Sequence, residues 1–141
     1  MVKETELEIQ ERVALKSRKA DILVIDDERD ISDLLSEYLN SLGYNAVPVY
    51  NGTDGLTKLG ESHYDLVITD LMMPGITGME LIGIVGEMNI NTRIIVMTGY
   101  EMIASGAESI AKNVSGYIAK PFCLKEVQVI VDRVLTKEAN Q

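Results

Sequence analysis

From Ala20 onward the apolar positions of this chain follow two alternating patterns. Short aliphatic runs recur at Ile22–Ile25, Ala46–Tyr50, Leu66–Thr69, Ile94–Met97 and Tyr117–Ala119. Runs this short, with no polar alternation, predict parallel strands buried on both faces. Pro48 cannot donate to a ladder, so the second run is predicted to lie at an edge.

Between the runs the spacing turns helical. Ile31, Leu35, Tyr38 or Leu39, and Leu42 share one face, and Gly43 follows as a stop. Further helices are predicted over Thr53–Gly60, Met79–Met88, Glu101–Lys112 and Leu124–Leu135, the last with Val127, Ile130, Val131 and Val134 on one face. Gly55 should weaken the second helix, and Gly83 and Gly86 the third, each at about 1 kcal/mol relative to Ala. Five strands alternating with five helices predict an α/β fold, a (βα)5 doubly wound five-stranded parallel sheet with helices on both faces. Ligands of such sheets sit at the carboxyl ends of the strands, where the strand order reverses. Residues 1–19 stand apart. Leu7, Ile9, Val13 and Leu15 lie among charges with partial helical spacing, which predicts a helical or disordered extension ahead of a domain over 20–141.

Composition narrows the function. The 141 residues include 46% hydrophobic and 25% charged positions, which suits one globular domain. Aromatics reach only 5%, so the core must be aliphatic. The formal net charge is −9, and its acidic excess lies beyond the extension. That balance argues against a nucleic-acid partner and against anionic membranes. Cys123 is the single cysteine, which excludes an internal disulfide and a multi-cysteine metal site. No apolar run approaches the roughly 20 residues of a membrane helix, and the charged N-terminus has no apolar signal region. A cytoplasmic protein is expected.

The residues that close the aliphatic runs carry the chemistry. They are Asp26-Asp27, Asp70, Thr98 and Lys120, all at carboxyl ends of predicted strands. Three crowded carboxylates repel one another unless a cation neutralises them. Oxygen ligands without His or Cys select Mg²⁺ or Ca²⁺, and few carboxylates with open water positions suit Mg²⁺. A carboxylate beside such an ion can attack phosphorus, with a lysine neutralising the equatorial oxygens and a hydroxyl donating to one. No phosphate-binding glycine loop appears, so the phosphoryl donor must come from outside. Any one of these residues alone reads as a helix cap or a turn; the whole set, in order, points to phosphoryl acceptance.

These residues resemble the receiver domain of bacterial two-component response regulators, over about Ala20 to Leu135. The motifs are Ile22-Leu-Val-Ile-Asp-Asp-Glu28, Leu66-Val-Ile-Thr-Asp-Leu-Met-Met-Pro-Gly75, Ile94-Ile-Val-Met-Thr-Gly99 and Gly116-Tyr-Ile-Ala-Lys-Pro-Phe122. The resemblance implies a flavodoxin-like sheet in the order 2-1-3-4-5, of the stand-alone, chemotaxis-receiver type. It implies that Asp70 is the phosphoacceptor. Asp27, Asp70 and the Met72 carbonyl would bind Mg²⁺ directly, and Asp26 through a water. Lys120 would pair with phosphoryl oxygens across a cis Lys120–Pro121 bond. Thr98 and Tyr117 would form the switch. The implied donor is a histidine kinase or histidine phosphotransfer protein. Output would pass to a downstream protein partner, because only Thr136–Gln141 follow the last helix. A monomer or a phosphorylation-dependent homodimer is expected, with no enzymatic turnover beyond self-phosphorylation from small donors and autodephosphorylation. An aspartyl phosphohydrolase would want Asp-x-Asp-x-Thr where Asp26-Asp27-Glu28-Arg29 stands. A non-phosphorylated interaction module is disfavoured by the complete residue set, and a flavin carrier by the lack of Trp. Departures from the family pattern are Asn113-Val114, where Gly-Ala is usual, and Cys123, where a capping Asp or Ser is expected. Gly116 is expected to permit a tight turn, and His63 to lie in a surface loop without acidic neighbours.

Overall fold

In a computed structural model, which describes residues 4–10, 20–88, 91–99 and 113–139, five strands form one sheet. They are β1 (Asp21–Ile25), β2 (Asn45–Val49), β3 (Leu66–Asp70), β4 (Arg93–Gly99) and β5 (Gly116–Lys120). All neighbours run parallel, in the order β2-β1-β3-β4-β5. The described helices are α1 (Arg29–Ser41), α2 (Gly52–Glu61), α3 (Gly78–Glu87) and α4 (Leu124–Ala139). The helix expected over Glu101–Lys112 lies outside the described residues. Pro48 does sit on the edge strand, facing Val24 of β1.

Alternate residues of each run serve opposite faces, which is why the runs show no polar alternation. Ile22 and Val24 join Leu66, Ile68, Ile95 and Met97 beneath α1 and α4. Leu23 and Ile25 join Val67, Ile94 and Val96 beneath α2 and α3. On α1 Leu35 and Leu39 are fully buried, so of Tyr38 and Leu39 it is Leu39 that enters the core. Tyr38 lies at the rim and donates from its hydroxyl to Gln128 Oε1 of α4 at 3.1 Å. The apolar face of α4 is as expected, with Val127, Val131 and Val134 buried and Ile130 packed against them.

Gly55 reads differently in space. A Cβ there would stand 2.6 Å from Ile25 Cδ1, so the apparent weak point of α2 is a close approach of helix to sheet. Gly83 has open space around it and no such role. Gly116 is a packing position rather than a tight turn: its Cβ would meet Ile130 Cγ2 at 3.2 Å, and its φ is not among the positive glycine values. In the extension, residues 6–10 are helical and Leu7 and Ile9 are exposed. Thr5 caps this turn, its Oγ1 accepting from Glu8 N–H at 3.1 Å. Residues 11–19 lie outside the described residues.

Candidate functional site

The parallel register carries the strand ends to one side of the molecule. Ile25 lies beside Thr69, Asp70 beside Met97, and Gly99 beside Lys120. The residues at or just past these ends, Asp26, Asp27, Asp70 and Lys120, therefore meet over the carboxyl edge. Lys120 Nζ donates to Asp26 Oδ2 at 2.8 Å and to Asp70 Oδ2 at 2.7 Å. The carboxylates of Asp26, Asp27 and Asp70 each place an oxygen within 4.8 Å of the others. Asp26 is fully buried and Asp70 nearly so, whereas Asp27 is exposed at the rim. The Lys120–Pro121 bond is cis, as the motif implied.

Backbone groups hold the carboxylates in place. Asp26 Oδ1 accepts from Glu28 N–H at 2.9 Å, and Asp70 Oδ1 from Met72 N–H at 3.0 Å. Thr69, wholly buried, donates its hydroxyl to the Asp70 carbonyl at 3.1 Å. Gly78 opens α3 hard against this turn: a Cβ there would stand 2.1 Å from the Asp70 carbonyl oxygen. Only glycine lets the α3 N-terminus approach so closely. Below the site, Ser32 of α1 donates to the carbonyls of Val24 at 3.0 Å and Val49 at 3.2 Å, which fixes α1 on the ends of β1 and β2.

Burial pushes the Asp26 carboxyl above the ordinary aspartate value, and the nearby Asp70 charge adds to this. The bonds from Lys120 and the Glu28 N–H offset part of the shift. Burial works against the Lys120 ammonium, yet its bonds to Asp26 and Asp70 outweigh that cost and raise its pKa above the ordinary lysine value. Lys120 is thus an internal counter-ion for a buried anionic pair. The donor set is all oxygen, with one carboxylate open to solvent, and it fits a hard divalent cation that keeps waters.

Thr98 is buried on β4, beside Ala119 in register, and makes no direct hydrogen bond to the acidic cluster. Tyr117 is half-buried against the core under α2 and α3, with its hydroxyl oxygen buried. The Met72 side chain is exposed and Gly99 is open. Cys123 occupies the position before α4, its carbonyl accepting from the N–H groups of Glu126 and Val127. His63 does lie in an exposed loop, but it has an acidic neighbour, Asp65 Oδ1 at 3.3 Å. Glu28, which was not among the expected site residues, places its Oε1 3.9 Å from Lys120 Nζ. Its place directly after the acidic pair was the available signal. Gly78 was also missed, because a close approach leaves no mark on hydrophobic spacing.

Residues 22–132 match the family model described as response regulator receiver domain. The chain belongs to that family. Its place is in two-component signalling. Sporulation initiation phosphotransferase F of Bacillus subtilis is 32% identical over 84% of this chain and 96% of its own length. The transcriptional regulatory protein YkoG of Bacillus subtilis is 31% identical over 87% of the chain, and this chain spans 54% of that relative's length. The response regulator TrrA of Thermotoga maritima, solved in complex with Mg²⁺ and BeF, is 34% identical, covering 82% of this chain and 98% of its own, with a TM-score of 0.71. A receiver structure from Clostridium thermocellum at 24% identity, with a TM-score of 0.76 over 85% of this chain and 97% of its own, shows the same receiver fold. Among the described residues no helix is long and apolar enough to cross a membrane.

Proposed function

We propose that this receiver is a Mg²⁺-dependent phosphoryl-accepting switch with Asp70 as the acceptor. The observation that carries the reading is the Lys120 ammonium, bonded to Asp26 and Asp70 at 2.8 and 2.7 Å beside a third carboxylate, Asp27. Asp27, Asp70 and the Met72 carbonyl would hold Mg²⁺, with Asp26 reaching it through a water. The ion supplies charge neutralisation for the transferring group. TrrA, named as a complex with Mg²⁺ and BeF, supports this assignment by its similarity.

The chain's own residues divide the remaining work. An Asp70 carboxylate oxygen attacks the phosphorus of a phosphohistidine on a partner kinase or phosphotransfer protein. The P–N bond breaks, its electron pair returns to the imidazole, and an acyl phosphate forms on Asp70. Lys120 then pairs with the phosphoryl oxygens and Thr98 donates its hydroxyl to one of them. That movement frees space for Tyr117 and changes the surface read by the output partner. Water later cleaves the acyl phosphate, so the protein switches state and no substrate is turned over beyond this cycle. The name and near full-length match of sporulation initiation phosphotransferase F support a relay role in which output passes by protein contact. The receiver unit would begin at Ala20, in the cytoplasm, as a monomer or as a homodimer formed on phosphorylation.

Incubation with Mg²⁺ and acetyl phosphate tests the reading. One phosphoryl adduct per chain is expected by mass, absent from Asp70→Asn and without Mg²⁺. An unmodified wild type, or an adduct that survives in Asp70→Asn, overturns it.

A further inference from the structure

Glu28 flanks the N-terminus of α1. Glutamate is not among the side chains that commonly cap a helix start, though its charge is favoured near the N-terminal end of the dipole. Here no side-chain cap bond forms. The carboxylate lies toward Lys120, its Oε1 3.9 Å from Nζ, within ion-pair reach and beyond hydrogen-bond length. The same ammonium is held by Asp26 and Asp70, whose side chains are 0% and 10% exposed against 64% for Glu28. Glu28 is therefore the solvent-side partner of a cation whose two closer partners lie inside. Its backbone N–H also binds Asp26 Oδ1.

The geometry points to Glu28 as a positioning residue that takes over the Lys120 ammonium when a divalent cation claims Asp26 and Asp70. The inference rests on the proposed Mg²⁺ site. A divalent ion bound among these carboxylates would draw on the same negative charge that holds Lys120 and would repel its ammonium. An ammonium displaced with no second anion would lose two charge-assisted bonds. Glu28 supplies that anion one step outward, which keeps Lys120 at the mouth of the crevice where a phosphoryl oxygen would arrive. Because Glu28 is exposed, the coupling has the size of a solvent-screened pair, about two- to fivefold in cation affinity.

Calorimetric Mg²⁺ titration of the unphosphorylated protein tests this without any reaction. Glu28→Gln is expected to weaken Mg²⁺ binding about two- to fivefold. Glu28→Asp, which keeps the charge but shortens the reach, is expected to weaken it as well. In a Lys120→Met background both substitutions should leave the affinity unchanged. An equal loss with and without Lys120 would mean bulk charge alone and would overturn the positioning role. The Lys120 ammonium resonance, followed by nitrogen NMR at saturating Mg²⁺, gives a readout that needs only wild type and Glu28→Gln. It should shift between them, and an identical resonance overturns the role. A wild type that binds no Mg²⁺ removes the proposed function and this inference together. A wild type that binds Mg²⁺ with unchanged affinity in Glu28→Gln removes the positioning role alone.

Discussion

Asp26 and Lys120 show how one pair of residues ties stability to function. The Asp26 carboxyl is held above its ordinary value, chiefly by burial, so the fold favours its protonated form. Its contribution to stability is complete below the ordinary aspartate value of 3.8 and is lost as pH rises through the raised value. Asp26→Asn removes that loss while Lys120 keeps its bond to Asp70. Without Mg²⁺ the variant should be more stable than wild type at neutral pH. The gap should close as pH falls toward 4, and thermal unfolding across pH measures it. The same variant should accept phosphoryl groups more slowly, since it lacks a carboxylate of the proposed cation site. Lys120 acts at the alkaline end: its raised pKa contributes stability that is lost as pH climbs through the range above 10.5. Gly78 is the opposite kind of residue, with no charge and no freedom to change. With a Cβ 2.1 Å from the Asp70 carbonyl, Gly78→Ala should cost about 3 kcal/mol or more and slow phosphorylation, because the acceptor's backbone must move. Denaturant unfolding together with the acetyl phosphate assay checks both parts.

At the scale of elements, hydrophobic spacing located every described strand and helix to within a few residues. The aliphatic runs are strongly periodic and both sheet faces are covered, so little else fits them. Spacing failed on glycines, because a missing side chain carries no periodicity. Gly55 and Gly83 read alike in sequence, yet one touches Ile25 and the other faces open space. Gly83→Ala should therefore stabilise α3 by about 0.5–1 kcal/mol. Gly55→Ala should destabilise the protein by about 1–3 kcal/mol. Paired denaturation curves decide between the two. Spacing also missed Ser32 and Ser36, which are polar residues on the buried face of α1. Ser32 is tolerated there because its buried hydroxyl finds strand-end carbonyls, those of Val24 and Val49, to accept its proton.

For the whole molecule, the sheet order creates the crevice, and the crevice gathers negative charge that the fold must neutralise. Lys120 does this from inside, and Mg²⁺ would do it from solution. A ligand that binds only the folded state stabilises it by mass action. At ten times its dissociation constant Mg²⁺ should add about 1.4 kcal/mol, or roughly 3–6 °C in a domain of this size. The rise should vanish in Asp27→Ala, and differential scanning calorimetry with and without Mg²⁺ would show it. The same two-layer packing joins α1 to α4 through Tyr38 and Gln128, and the turn after α1 to α4 through Tyr44 and Asp132. A change at the strand ends therefore meets a molecule already braced on one face.

Sequence alone was enough for the described strands and helices, their parallel arrangement and the identity of the acidic and basic residues at the strand ends. These follow from local spacing and from residue type, which any stretch of chain carries on its own. The tertiary structure decided which of those residues touch. Lys120 lies 94 residues from Asp26 and 50 from Asp70 along the chain, and only the register of β1, β3, β4 and β5 brings its ammonium between them. It also decided that Gly55 and Gly78 are contacts and that Glu28 faces Lys120 rather than its own helix. Each of these depends on distances between elements, and such distances are set by packing across the sheet rather than by neighbours in the chain.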